Sequence, residues 1–342
     1  MRDLVEALCS DRCAGRAAGT RGGRIARGLV IDALRGAGLD PQEQPIARLE
    51  GGANVLAMIP GEIDRFVLVG AHYDHLGKDG PAIFRGADDN AAAVAILVEL
   101  AAALAKQRLR GRGVIIAAFD AEEPPHFMNG TMGSLYFTKH PLVPLDRIDL
   151  MVCLELVGHA LGEAHLPTEV RRTLFVLGGE RSVGTREQVI SMARDEPGLI
   201  VRPADAEVIP PLSDYLGFWR RKRPFVLLTG GRTRRYHTVD DRPEHLDWTR
   251  MKAVARWLER FVRAQCAREE RPFEFVEQRD DLTTLDSLRD VFTALAPASP
   301  VASEALDLAL HLRGRVGADR SLPMPLRAEL AQLVEGLETG LG

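Results

Sequence analysis

Short runs rich in Val, Ile and Leu recur along the chain, at Val55–Ile59, Phe66–Ala71, Val114–Phe119, Leu150–Leu154, Leu174–Leu177 and Phe225–Leu228. They are continuous rather than alternating, which is how strands buried on both faces read. Between them, helical patterns cover Arg24–Ala37, Ala91–Lys106, Met132–Lys139, Arg186–Glu196 and Thr249–Ala267. Asp247 is placed to cap the last of these helices, and Gly36 and Gly38 to stop the first. Strands alternating with helices in this way predict an α/β layered fold with a mixed, largely parallel central sheet.

After about Arg271 the texture changes. Strand-like runs vanish, and Leu285–Leu295, Ala302–Leu312 and Pro325–Leu337 read as three amphipathic helices separated by Pro- and Gly-containing breaks. Leu306, Leu308, Ala309 and Leu312 have helical spacing, which favours packing against a body over a partner site. The chain therefore divides into a body over residues 1–268 and a helical appendage over 269–342, packed on or beside it. The appendage carries no motif of its own and is expected to be structural rather than catalytic.

Composition narrows the function. Lys and Arg number 44 against 48 Asp and Glu, for a net charge of −4. There is no global basic field to draw in nucleic acid or an anionic membrane, and 6% aromatic residues argue against a base-stacking platform. The longest apolar run, Ala91–Ala105, is mostly alanine and is interrupted by Glu99, so no bilayer span is expected. Asp3 and Glu6 break up the N-terminus, which predicts no signal peptide and a cytoplasmic location. Cys9, Cys13, Cys153 and Cys266 are too few for a disulfide scaffold and lack paired zinc-knuckle spacing. They are expected to be reduced thiols.

In an open α/β sheet, chemistry collects at the carboxyl ends of the strands. Phe66–Ala71 runs into His72-Tyr73-Asp74-His75. Gly86-Ala87-Asp88-Asp89-Asn90 opens the alanine-rich helix. Val114–Phe119 delivers Asp120-Ala121-Glu122-Glu123, Leu150–Leu154 delivers Glu155, and Phe225–Leu228 leads to Tyr236-His237-Thr238. Singly each is weak: an isolated histidine such as His126, His140, His165 or His311 is ordinarily a surface or capping residue. Their recurrence at successive strand ends is not ordinary. Histidine and carboxylate donors without cysteine suit zinc, with cobalt or manganese as substitutes. Two histidines and three carboxylates exceed one tetrahedral catalytic site and fit a pair of divalent ions sharing a carboxylate.

The order HYDH, GADDN, EE, a later acid–xx–Gly segment and YHT resembles the co-catalytic zinc exopeptidases. That family includes bacterial leucyl-type aminopeptidases, glutamate carboxypeptidase II and animal-type glutaminyl cyclases. Asn54-Val55, Ile59-Pro60-Gly61, Met132-Gly133-Ser134, Ser213-Asp214 and Asp241 add to the likeness, which runs from about Leu8 to Phe261. The resemblance implies a three-layer α/β/α body holding two zinc ions and acting on a peptide or aminoacyl substrate. It implies His72 and His237 as the terminal ligands of the two ions, Asp89 as the bridge, Glu123 on one ion and Glu155 on the other. Glu122 would be the general base, Asp74 would orient His72 through its second ring nitrogen, and Tyr236 matches an oxyanion-stabilising tyrosine of some relatives. The metals would polarise the amide, and Glu122 would carry the proton from water to the leaving amine. The implied activity is that of an aminopeptidase. The alternatives are a glutaminyl cyclase with one zinc, and a catalytically silent binding relative, although no ligand is missing.

The sequence departs from that pattern in places. Glu155 stands where the family usually has Asp, Ala92-Ala93 replaces Ser-Gly, and Tyr215 replaces a frequent His. Pro124–Ser134 forms a loop of eleven residues, longer than in relatives, and is expected to reshape the substrate pocket. Arg220-Arg221-Lys222-Arg223 and the group Arg232, Arg234 and Arg235 are either a solvated surface or a recognition site for a substrate carboxylate.

Overall fold

The computed structural model describes residues 1–341. Its strands are β1 (Gln42–Pro45), β2 (Ala53–Ile59), β3 (Ile63–His72), β4 (Gly77–Asp79), β5 (Ala82–Phe84), β6 (Arg112–Phe119), β7 (Ile148–Glu155), β8 (Thr173–Leu177), β9 (Ile200–Ala204) and β10 (Phe225–Thr229). Eight of them form one sheet in the order β1-β2-β6-β3-β7-β10-β8-β9, and β4 and β5 form a small hairpin beside it. The core quartet β6, β3, β7 and β10 is parallel. β2 runs antiparallel to β6, and β10 antiparallel to β8, so the sheet is mixed.

Side-chain alternation along the central strands splits the core in two. Val67, Val69 and Ala71 of β3, with Val114, Ile116 and Ala118 of β6, face one apolar cluster. Leu68 of β3, with Ile115, Ala117 and Phe119 of β6, faces the other. Both faces are buried, which is why these strands read as unbroken apolar runs. On the first face pack α1 (Arg2–Leu8), α2 (Arg21–Gly36), α3 (Ala92–Ala105) and, near the end of the body, Trp248–Cys266. The small side chains of α3 let that last helix approach closely. Asp247 caps it by accepting from Arg250 N at 2.9 Å.

The second face is covered by Gly133–Lys139, by Phe218 of Leu216–Trp219, and by three C-terminal helices, Asp281–Leu295, Pro300–Arg313 and Met324–Leu341. Leu285, Leu288, Val291 and Phe292 share this core with Leu68, Met151 and Phe225 of the sheet. The C-terminal segment thus forms much of the second helical layer of a three-layer α/β/α fold. A charge cluster fixes its start: buried Asp149 accepts from Arg112 Nε at 2.5 Å and from Arg65 Nε at 2.8 Å. The same Arg112 guanidinium donates to the carbonyls of Arg268, Glu269 and Arg271. This clamp lies at the amino ends of β6 and β7, away from the motif residues.

The six sequence-predicted strands are present, each lengthened by one to three residues at one or both ends. β1, β9 and the β4–β5 hairpin were not predicted. Gln42–Pro45 is polar and mostly exposed, as an edge strand can be, and Ile200–Ala204 is interrupted by Arg202 and Pro203. Among the described residues no helix is long and apolar enough to cross a membrane.

Candidate metal centre

The parallel strands deliver their chemistry at one edge of the sheet. His72 ends β3, Asp120–Glu123 follows β6, Glu155 ends β7, and β10 leads through Gly230-Gly231 to His237. Asp89 comes from the segment that enters α3. Its two oxygens face opposite ways: Oδ1 lies 3.4 Å from His72 Nε2 and Oδ2 lies 3.2 Å from His237 Nε2. His72 Nε2 is also 3.2 Å from Glu155 Oε1, and His237 Nε2 is 3.2 Å from Glu123 Oε2. The five residues singled out as ligands are brought together as two adjoining donor groups that share Asp89.

The donor set tests well for cations. His72, Asp89 and Glu155 each offer an atom within 4.8 Å of the others, as do His75, Asp89 and Glu123. Asp89 Oδ2 and His237 Nε2 are 3.2 Å apart, yet neither has a hydrogen-bond partner. A histidine nitrogen and a carboxylate oxygen converging in this way are donors that a divalent ion can satisfy. Burial pushes the His72 ring down, but Glu155 and Glu122 outweigh it and raise it well above its ordinary range. For His237, burial is likewise outweighed by Asp89 and Glu123, which raise it to about 10. Asp89 resists burial and stays well below the usual carboxylate range because His75, His237 and His72 surround it.

Neighbouring groups hold this arrangement in place. Asp241 accepts from the backbone N–H of Asp88 at 2.9 Å and of Asp89 at 3.0 Å, fixing the bridge segment. Ser213 Oγ donates to Glu155 Oε2 at 2.7 Å. Asp74 lies beside His72 Nδ1, as its motif position implies, and has further partners. Its carboxylate is 3.6 Å from His72 Nδ1, and the closer atom, at 3.3 Å, is its backbone carbonyl. The carboxylate also accepts from Glu122 N at 3.0 Å and Glu123 N at 3.2 Å. Asp74 therefore aims both acids. Glu122, buried, sits 3.9 Å from His72 Nε2 and belongs to neither donor group. Its carboxyl is raised well above the usual range by burial, with His72 opposing and Glu155 and Asp214 reinforcing. Tyr236 stacks on His237 with ring centroids 3.8 Å apart, and burial raises its phenol, which stays protonated.

Two participants were not assigned from sequence. His75, the last residue of HYDH, donates or accepts at 2.8 Å with Glu123 Oε1, and its Nε2 has no partner. Gly86, at φ +55°, makes the space, since a Cβ there would lie 2.5 Å from the His75 ring. The second is Arg16, fully buried and with no carboxylate partner among the described residues. Its guanidinium donates to the carbonyls of Tyr73 at 2.7 Å, Gly86 at 2.5 Å, Asp89 at 3.1 Å and Arg85. It stitches the HYDH and GADDN segments together. An arginine among several in Asp11–Arg24 gives no sequence signal of that role.

A cavity of about 150 Å³ opens onto the site. Asp89, Glu122, Glu123 and Glu155 line its polar end, and the rest is chiefly apolar. The loop Pro124–Ser134 contributes none of the lining among the described residues. The C-terminal helices do, through Leu288, Val334, Leu337 and Glu338. The appendage, expected to pack on or beside the body, thus also lines the cavity, whereas the loop expected to reshape the pocket does not. Several members of the basic clusters have partners of their own. Arg232 is paired with Glu338, Arg235 lies 3.3 Å from Asp240, Lys222 pairs with Glu277 at 2.8 Å, and Arg223 donates to Ile148 O.

Known proteins resemble this chain. It is 31% identical over 242 residues to the "Uncharacterized protein YfbL" of Escherichia coli strain K12, covering 64% of this chain and 72% of that protein. The structure of Porphyromonas gingivalis glutaminyl cyclase shares the fold at a TM-score of 0.61 and 20% identity, over 78% of this chain and 98% of that one. The LapA aminopeptidase of Legionella pneumophila does so at 0.62 and 13%, over 78% and 72%. Residues 54–262 match Peptidase family M28. That stretch contains every donor of both groups and leaves Arg16 and the C-terminal helices outside. Sequence and donor geometry thus lead to one assignment: this chain belongs to Peptidase family M28.

Proposed function

We propose that the protein is an aminopeptidase that holds two divalent ions, zinc foremost, and hydrolyses the amide next to a free α-amine. The observation that carries the reading is the division of Asp89, one carboxylate oxygen toward His72 and the other toward His237. His72 and Glu155 would hold one ion, His237 and Glu123 the other, and Asp89 would serve both. When bound, such a pair supplies Lewis-acid polarisation of the scissile carbonyl and acidifies water. Glu122 is free of both donor groups, so its carboxylate takes the proton from the attacking water and returns it to the leaving amine. Asp74 holds the backbone that aims it, and the protonated Tyr236 phenol donates toward the developing oxyanion.

The polarity of the substrate follows from charge. Asp89, Glu123 and Glu155 at one end of the cavity would be neutralised by the two ions, so the polarity is read from the cation that a substrate carboxylate would need. The lining contains one arginine, Arg232, whose guanidinium is bound by both oxygens of Glu338 among the described residues. A carboxypeptidase would want that cation free for its substrate's carboxylate. The likeness to a glutaminyl cyclase defines the competing reaction.

The deciding experiment assays zinc-loaded protein on free and N-acetylated aminoacyl anilides and on a glutamine-initiated peptide. Hydrolysis confined to free amines, abolished by chelation, is expected. Ammonia release from the glutamine peptide without hydrolysis would replace this reading with the cyclase. Turnover of none of them by loaded protein would leave a silent binding relative.

A further inference from the structure

The C-terminal helices bear on the site in a way that the family region alone does not supply. The apolar part of the cavity has two walls. Leu156, Phe175 and Leu227 come from the sheet and its loops, and Leu288, Val334 and Leu337 from the C-terminal helices. Glu338, one residue past Leu337, receives Arg232 N and Arg232 Nε, each at 2.9 Å. Arg232 precedes Tyr236 and His237 on the same loop, so the last helix is bonded to the loop that delivers a metal donor. Leu337 is buried and Val334 half-buried. Leu288 is fixed by its place in the shared core.

Resting on the aminopeptidase reading above, we infer that the C-terminal helices form the outer wall of the pocket for the substrate's N-terminal side chain, with Val334 and Leu337 setting the size it accepts. An apolar cavity of about 150 Å³ takes a benzene-sized group, so the preferred substrates carry leucine- or phenylalanine-sized apolar side chains. The pocket opens at one end onto Asp89, Glu122, Glu123 and Glu155. A side chain seated in it therefore leaves the α-amine and first amide of the same residue beside those carboxylates. Charged N-terminal side chains would meet apolar walls and be rejected by their desolvation cost.

Two variants with opposite expected effects test the wall. Leu337→Ala deepens the pocket and Val334→Phe shortens it. The full-length protein, zinc-loaded and with its melting temperature and metal content recorded, is assayed on alanine, leucine and phenylalanine anilides. A methylene gained or lost in an apolar pocket changes discrimination about 10-fold or more. The phenylalanine-to-alanine ratio of kcat/KM should therefore rise about 10-fold in Leu337→Ala and fall about 10-fold in Val334→Phe. Binding of L-alaninol, L-leucinol and L-phenylalaninol, which have no scissile bond, should shift in the same order by calorimetry. If the parent binds the larger amino alcohols but hydrolyses no anilide, the aminopeptidase reading fails while the wall stands. If both ratios stay within about twofold of the parent in folded, loaded protein, the wall is overturned. Should Leu337→Ala not fold, Val334→Phe decides alone.

Discussion

Glu122→Gln removes a proton acceptor while leaving the donor groups whole. The glutamine keeps the size and shape of the acid. Its backbone N–H still donates to Asp74 Oδ1, as Glu122 does at 3.0 Å, so the segment keeps its course. The carboxylate it replaces lies 3.9 Å from His72 Nε2 and is in neither donor group, so metal content should not fall. In metal-free protein the change removes one of several crowded acids. Glu155 and Asp214 already push Glu122 toward its neutral form, so the melting temperature should hold or rise. The rate is another matter. A positioned general base is worth about 10²–10⁴-fold, or about 3–5 kcal/mol of barrier. We expect kcat per bound metal to drop by that factor at saturating zinc. Glu123→Gln gives the contrast: it takes a donor away from His237 and His75, so metal affinity falls first. Turnover and metal should be quantified on the same samples. If fully loaded Glu122→Gln turns over within tenfold of the parent, Glu122 is not the base and the mechanism above is wrong.

Three further outcomes are expected. Asp149→Ala leaves the buried Arg112 guanidinium without its partner and should cost about 3–5 kcal/mol in urea unfolding; a change under about 1 kcal/mol would show that the clamp at the start of the C-terminal layer is not stabilising. Arg16→Met strands buried carbonyls of both donor segments, at about 1–3 kcal/mol each, and zinc affinity should fall together with stability; unchanged affinity would deny Arg16 its positioning role. Glu180 is raised by burial beside Asp205 to about 8 from an ordinary 4.5, so folded protein binds a proton that unfolded chain releases between those values. Stability should then decline as pH rises from about 5 to 8, and Glu180→Gln should flatten the decline by less than about 5 kcal/mol; identical slopes in parent and variant would show that Glu180 is ionised throughout.

Much of this could be read from the chain because the donors sit in short motifs at strand ends. The run Val67-Leu68-Val69 announces β3, and a buried parallel strand must put its next residue, His72, at the sheet's carboxyl edge. Glu122 and Glu123 follow β6 for the same reason. What was not legible depended on contacts distant in sequence. Arg16 acts through backbone carbonyls of residues 73–89, which leave no side-chain signature. The resemblance paired Asp74 with His72, but gave no sign that its carboxylate also reaches the N–H groups of residues 122 and 123 across the sheet edge. The amphipathic C-terminal helices declared that they pack, but not against what. Their apolar faces complete a layer over β3, β7 and β10, and only the folded sheet places Val334 and Leu337 at the cavity.

The account turns on two cations sharing Asp89, and a zinc titration of chelator-stripped protein tests it most directly. Native mass spectrometry or calorimetry on the full chain should reach two ions per chain. Asp89→Asn should weaken both, whereas Glu155→Gln should weaken one and spare the other. Saturation at a single ion, or an Asp89→Asn variant that still takes up two as tightly as the parent, would contradict it.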